Sequence, residues 1–202
     1  MAFVKSREVI LNKIRAALSK LRNNPIPDFT TEVFIQKNSS DSSIEFAENF
    51  VKSTGEFIFC ETPQEFYEKM ASIINARKIA KIAFTDSAIS EKLMAAGIEF
   101  QDLQCQYQQA DATITFCDGL ISSNGSIAMS EASEAYFPDK HIIIAYSSQI
   151  VPDIKSLLGR IRKNHNNSFP EHLSFINGGG TDPYSNLKRK ELTLFLIDDI
   201  RH

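Results

Sequence analysis

Cysteine is scarce in this chain and poorly spaced for chemistry. Its three copies, Cys60, Cys105 and Cys117, stand far apart. A disulfide framework, a zinc site or a cysteine-ligated iron–sulfur cluster needs more copies or closer spacing. All three read as buried or neutral thiols, since nothing beside Cys117 would lower its pKa. Histidine is scarce too. His141, His165, His172 and His202 show no metal-ligand spacing, and none stands in a nucleophile motif. No cofactor and no metal are expected.

Long apolar runs are also missing. The longest, IIIAY (142–146) and LTLFLI (192–197), are strand-sized, whereas a membrane-spanning helix needs about 20 residues. No membrane association is expected. The N-terminus lacks the apolar core of a signal peptide, so the cytoplasm is the expected compartment. An excess of basic residues is absent as well. The net charge is −3 and the pI about 5.8, unlike the basic face of a nucleic-acid binder. The one basic cluster, RIRKNH (160–165), closes a predicted helix, where the dipole favours cations. No nucleic-acid partner is expected.

What is present suits an α/β protein. With 202 residues the chain is long enough for one well-buried core. Ile10, Ile14, Leu18 and Leu21 recur at helical spacing over 5–22, and NNPIPDF (23–29) then breaks the helix. Residues 1–28 thus form a helical arm, and 29–202 the main domain. The arm's apolar stripe must dock on that domain or on a second copy, which makes a homo-oligomer one candidate assembly.

Beyond the arm, a helix is predicted over 43–53, ending before Gly55, and EFIFC (56–60) is a strand. Thr62, Pro63 and Glu65 then spell a capping box that opens the next helix, whose buried stripe is Phe66, Met70, Ile73 and Ile74. KIAKIAF (78–84) is a strand, and Asp86 caps a helix ending at Gly97. DATITF (111–116), SIAMS (126–130), HIIIAY (141–146) and LTLFLI (192–197) are strands, with a helix over about 152–163. Strands alternating with helices predict a largely parallel open sheet flanked by helices. Ligands of such sheets bind beyond the carboxyl ends of the strands.

Two loops are candidate sites. In LISSNGSIAMS (120–130), Asn124-Gly125 between strand-like residues signals a hairpin, because both residue types tolerate positive φ. Alternatively, Ser122, Ser123, Asn124, Gly125 and Ser126 form a nest of backbone N–H and polar side chains suited to a carboxylate or phosphate. In NGGGTD (177–182), Gly178, Gly179 and Gly180, followed by Thr181, leave a bare backbone that an anion can approach. The competing reading is a flexible loop. It is neither a P-loop nor a dinucleotide fingerprint. His141 opens a predicted strand, either as a structural residue or as a pocket wall. Asp111, at a strand start, either orients a substrate or caps a loop. Asp118, Glu131 and Glu134 also lie near the first loop, but spacing assigns no acid–base pair among them.

The ordered set ADATITFCDGLISSNGSIAMS, FPDKHIIIAYSSQIVPDIKSLL and LSFINGGGTD resembles the lactate-utilisation protein C family, the LUD domain. Its members carry an Ala-Asp-Ala strand, a Thr-Gly-Thr turn, a Pro-x-x-His strand and a Gly-Pro-Ser loop. The counterparts here are Asn124-Gly125-Ser126, Pro138 to His141, and Gly178 to Gly180, within residues 105–198. The resemblance implies the fold of ribose-5-phosphate isomerases, CoA transferases and formyltetrahydrofolate cyclo-ligases. It implies a role in oxidising L-lactate to pyruvate beside iron–sulfur partner subunits, with this chain as the component that carries no cluster.

Three departures stand out. Ser123 replaces the Glu that many members carry before the turn, and CoA-transferase chemistry needs that carboxylate. Asn124 replaces the first turn threonine. The 178–191 loop is short and lacks the longer segment in which family members carry an arginine, the natural anion clamp. The leading expectation is a non-redox accessory subunit holding a small carboxylate or phosphate at the turn and the glycine loop. The alternative is an enzyme acting on a sugar phosphate, a CoA ester or a folate.

Overall fold

The structure, a computed structural model, describes residues 42–52, 55–84, 86–103, 106–130, 139–177 and 191–199. The predicted arm, Cys105, Glu131, Glu134, Pro138, Gly178, Gly179, Gly180 and Thr181 lie outside them.

The strand-sized apolar runs pair into one sheet. Its members are β1 (Glu56–Cys60), β2 (Lys81–Phe84), β3 (Gln101–Asp102), β4 (Ala112–Phe116), β7 (Lys140–Tyr146) and β10 (Glu191–Ile197), in the order β1-β10-β7-β4-β2-β3. Every neighbouring pair is parallel. The central strands are buried along all but their end residues, as IIIA and LTLFLI foretell for a parallel sheet covered on both faces.

Strand alternation divides the sheet into two faces. One carries Ile82, Phe84, Ile114, Ile142, Ile144 and Phe195, and packs against α2 (Pro63–Ala76) and α3 (Ser87–Ala95) through Phe66, Met70, Ile74, Ile89 and Leu93. The other carries Phe57, Ile143, Ala145, Leu192, Leu194 and Leu196. It packs against Phe46 and Phe50 of α1 (Ser42–Lys52) and against Leu120, Ile127 and Met129. Phe46 and Phe50 stack with centroids 5.7 Å apart and both meet the Phe57 ring. Burying rings of this size is worth about 1.5–3 kcal/mol each, which anchors α1.

The local start signals act as their spacing suggests. Thr62 Oγ1 accepts from Glu65 N–H at 3.2 Å, and Pro63 opens α2. Glu65 departs from the expected box in reaching one residue further back, to Glu61 N–H at 2.7 Å. Asp86 caps α3 by accepting from Ala88 N–H. Asp153 caps α4 (Ile154–Asn164) by accepting from Ser156 N–H.

SIAMS forms the expected strand, but outside the main sheet. Residues 126–129 belong to a second, four-stranded sheet, β8-β5-β6-β9, built from β5 (Gly119–Ile121), β6 (Ser126–Met129), β8 (Ile150–Val151) and β9 (Ser174–Asn177). β6 runs antiparallel to β5 and β9, and β8 parallel to β5. This sheet lies over the α1 face of the large one, and α4 covers its outer side through Leu157 and Ile161.

The order of strands fixes a reversal. Connections running toward β3 use α2 and α3 on one face, and those from β4 toward β1 use the small sheet and α4 on the other. Crossovers of opposite direction on opposite faces have the same hand, as parallel units require. The reversal falls between β2, which continues toward β3, and β4, which continues toward β1. Their carboxyl ends form the topological switch point where open α/β sheets hold ligands.

Candidate functional site

The chain leaves β4 on the switch-point side through Cys117 and Asp118. Asp118 accepts from Ser130 N–H at 2.6 Å and from Ser130 Oγ at 3.1 Å, closing the base of the β5–β6 hairpin. His165 Nε2 lies 4.0 Å from the same carboxylate. Gln149 ties the ends of β4 and β7 together: its Nε2 donates to Cys117 O and its Oε1 accepts from Tyr146 N–H, both at 2.7 Å. Burial pushes the Cys117 thiol up to about 12, with the Asp118 charge adding to the effect. Burial also pushes Cys60 up to about 12. The two thiols project from opposite faces of the large sheet.

The turn at 122–125 is not the two-residue hairpin that Asn-Gly suggests. Four residues separate β5 from β6, and Gly125 has a φ of +71° while Asn124 keeps a negative one. Asn124 instead uses its side chain, whose Oδ1 accepts from Ser126 N–H at 3.0 Å. Gly125 is required by close approach. A Cβ there would sit 2.4 Å from Phe50 N and 2.7 Å from Asn49 C. The turn is pressed against the α1 backbone.

Side chains of α1 complete that junction. Asn49 Nδ2 donates to Ser122 O at 2.8 Å and to Ser123 O at 3.1 Å. The buried Ser122 hydroxyl donates to Glu45 Oε2 at 2.8 Å. The backbone N–H groups of Ser122, Ser123 and Gly125 bond to Val151 O, Pro152 O and Ile121 O. Most backbone donors of the expected nest therefore serve the fold. The exposed side chains of Ser123 and Asn124 remain at the surface of the turn. Lys52 brings a positive charge there by donating to Asn49 Oδ1 at 3.0 Å. Glu45, Asn49 and Lys52 were missed in the sequence reading. Their only local signal is a shared i, i+3/i+4 face on one short helix.

Asn177, the last residue of β9, pairs with Ser126 beside the turn, and the glycine loop of the sequence reading lies outside the described residues. Asp111 and His141 lie elsewhere, at the amino edge of the large sheet. Asp111 Oδ2 accepts from Ala80 N–H at 2.9 Å and Lys81 N–H at 2.8 Å, fastening the start of β2. Those bonds hold its carboxyl below the usual range. His141 is buried on β7, with Nε2 2.9 Å from Thr115 Oγ1.

Among the described residues, no group of three or more His, Cys, Asp or Glu side chains is arranged to hold a metal ion, and no helix is long and apolar enough to cross a membrane.

Curated proteins offer no match to the chain. Among solved structures, it is similar to a DUF162 family protein from Deinococcus radiodurans. The two share 18% identity and a TM-score of 0.56, over 78% of this chain and 95% of that one. At that identity the likeness bears on the fold, and it agrees with the α/β architecture. The LUD domain family model matches residues 44–191, from α1 to the first residue of β10. With so much of the chain matched, the protein belongs to the LUD domain family.

Proposed function

We propose that this LUD domain protein is the non-redox accessory subunit of a system that oxidises L-lactate to pyruvate through separate iron–sulfur subunits, and that it holds a small carboxylate. The observation that carries this reading is the family match, which runs from within α1 to the first residue of β10. The placement of the thiols supports it. Cys60 and Cys117 face opposite sides of the sheet and are held protonated by burial. A shared cluster would need thiolates on one side. Lys52, Ser123 and Asn124 offer a cation, a hydroxyl and an amide at the surface of the turn.

An enzyme acting on a phosphate, a CoA ester or a folate is the second reading, and one contact favours it. Glu45 brings a carboxylate to the turn from another element, 2.8 Å from Ser122 Oγ. A nucleophile or base delivered by α1 would replace the family glutamate that Ser123 lacks.

A thermal-shift screen against L-lactate, pyruvate, acyl-CoAs, sugar phosphates and folates separates the two. Ligand at a hundredfold excess over Kd stabilises by about 2.7 kcal/mol. The accessory reading expects a shift with lactate or pyruvate alone. A shift confined to CoA esters, sugar phosphates or folates would replace it with the enzyme reading.

A further inference from the structure

The helix over the small sheet reverses the sign of the chain's charge. From 154 to 170 the sequence holds Lys155, Arg160, Arg162 and Lys163 and no acidic residue, in a chain whose net charge is −3. The other described helices each carry glutamate: Glu45 and Glu48 in α1, Glu65 and Glu68 in α2, Glu91 in α3. α4 carries none. Its inner side is buried through Leu157 and Ile161, while Lys155, Arg162 and Lys163 stand exposed.

The helix itself accounts for only part of this. The dipole favours cations in a last turn, which suits Arg162 and Lys163. Lys155 is the second residue of α4, where the dipole opposes a cation. An apolar group stands beside the helix as well. Phe175 of β9 pairs with Ala128 of β6, so its side chain shares the sheet face that Ala128 turns toward Leu157 and Ile161. α4 sits close on β5, where a Cβ on Gly119 would lie 2.4 Å from Leu157 Cδ1. Phe175, out on β9, is 38% exposed, and Ile154 and Phe169, near the two ends of the basic stretch, are exposed too. Arginine and aromatic side chains are the usual anchors of protein interfaces.

We propose that the outer face of α4, with Phe175 beside it, is the surface that docks an acidic face of the iron–sulfur subunits. The proposal rests on the accessory reading above. Charge complementarity selects the occupant: a basic surface attracts an acidic partner, and a second copy of this chain is acidic only outside this face. The surface also borders the turn. α4 begins just after Val151 and Pro152, whose carbonyls accept from Ser122 and Ser123 N–H. A partner seated on α4 therefore lies next to the proposed carboxylate site.

The test is binding of the full chain to those subunits by biolayer interferometry, at low and at raised salt. Lys155→Glu, Lys163→Glu and Lys92→Glu change the charge equally, and Lys92 stands exposed on α3, across the large sheet. K155E and K163E should each weaken binding about fivefold or more, and K92E should not. Phe175→Thr, which keeps a strand-forming residue, should weaken it about tenfold. Wild-type affinity should fall as salt is raised. Circular dichroism checks that each variant is folded. Subunits that bind the wild type and both α4 lysine variants alike overturn the docking face and leave the accessory reading standing. Subunits that do not bind the wild type overturn both. In that case, self-association or adsorption to phosphatidylglycerol vesicles that K155E and K163E abolish would give the face to a second copy or to a lipid surface instead.

Discussion

Gly125 and Gly97 share a backbone conformation but differ in surroundings, and together they test how the turn is held. Their φ values are +71° and +78°. A Cβ on Gly97 meets nothing within 4 Å, whereas one on Gly125 would lie 2.4 Å from Phe50 N and 2.8 Å from Phe50 Cα. Placing alanine in the left-handed region costs about 1–2 kcal/mol in either place. At Gly125 the added methyl also overlaps helix backbone, which has no rotamer to yield. Such overpacking costs about 1–3 kcal/mol more, and moving α1 away would strain the Asn49 bonds to Ser122 O and Ser123 O. Gly125→Ala is therefore expected to lose about 2–5 kcal/mol and Gly97→Ala about 1–2 kcal/mol. Urea unfolding of the two variants beside wild type measures this, with unchanged slope as the check that only stability moved. Equal losses would refute the claim that the turn rests on α1.

Asp111 predicts a pH dependence. Its folded pKa is lowered below 3.8 by the N–H groups of Lys81 and Ala80, so its contribution is present above that value and is lost as pH falls through the lower, folded value. Asp111→Asn should cost about 0.5–1 kcal/mol at pH 7, a small figure because the group is exposed and screened. The gap to wild type should close as pH is taken well below 3.8; a gap that persists there would contradict the assignment. The thiols predict slow chemistry. In a Cys105→Ser background, Cys60 and Cys117, both pushed to about 12, should resist a thiol reagent in the native state and react once the chain unfolds. Rapid native labelling would contradict their placement.

Helix starts and buried strands were legible in the sequence because their causes are local. Thr62, Asp86 and Pro63 act within a turn of themselves, and IIIA reads as buried on both faces wherever it pairs. The small sheet was not legible. β8 and β3 are two residues each, too short to carry a period, and β6 differs from a main-sheet strand only in which strands it meets. The turn shows the same limit. Its glycine was visible, but the reason for it is a helix more than seventy residues earlier in the chain. Asn-Gly therefore suggested a two-residue hairpin where contact with α1 selects a four-residue one. Asp111 and His141 were picked out as polar residues at strand starts, but a strand start lies at the edge opposite the loops that were expected to bind.

The central claim is that this LUD domain protein serves lactate oxidation without carrying electrons itself. The direct measurement is lactate-dependent dye reduction by the iron–sulfur subunits proposed as its partners, reconstituted without this chain, with it, and with a Cys60→Ala/Cys105→Ala/Cys117→Ala variant shown to be folded. The account predicts that lactate oxidation depends on the chain and that the cysteine-free variant restores it in full. A rate that does not change when the chain is left out would contradict the accessory role. A rate that the wild type restores and the folded variant does not would contradict the claim that its cysteines carry no redox centre.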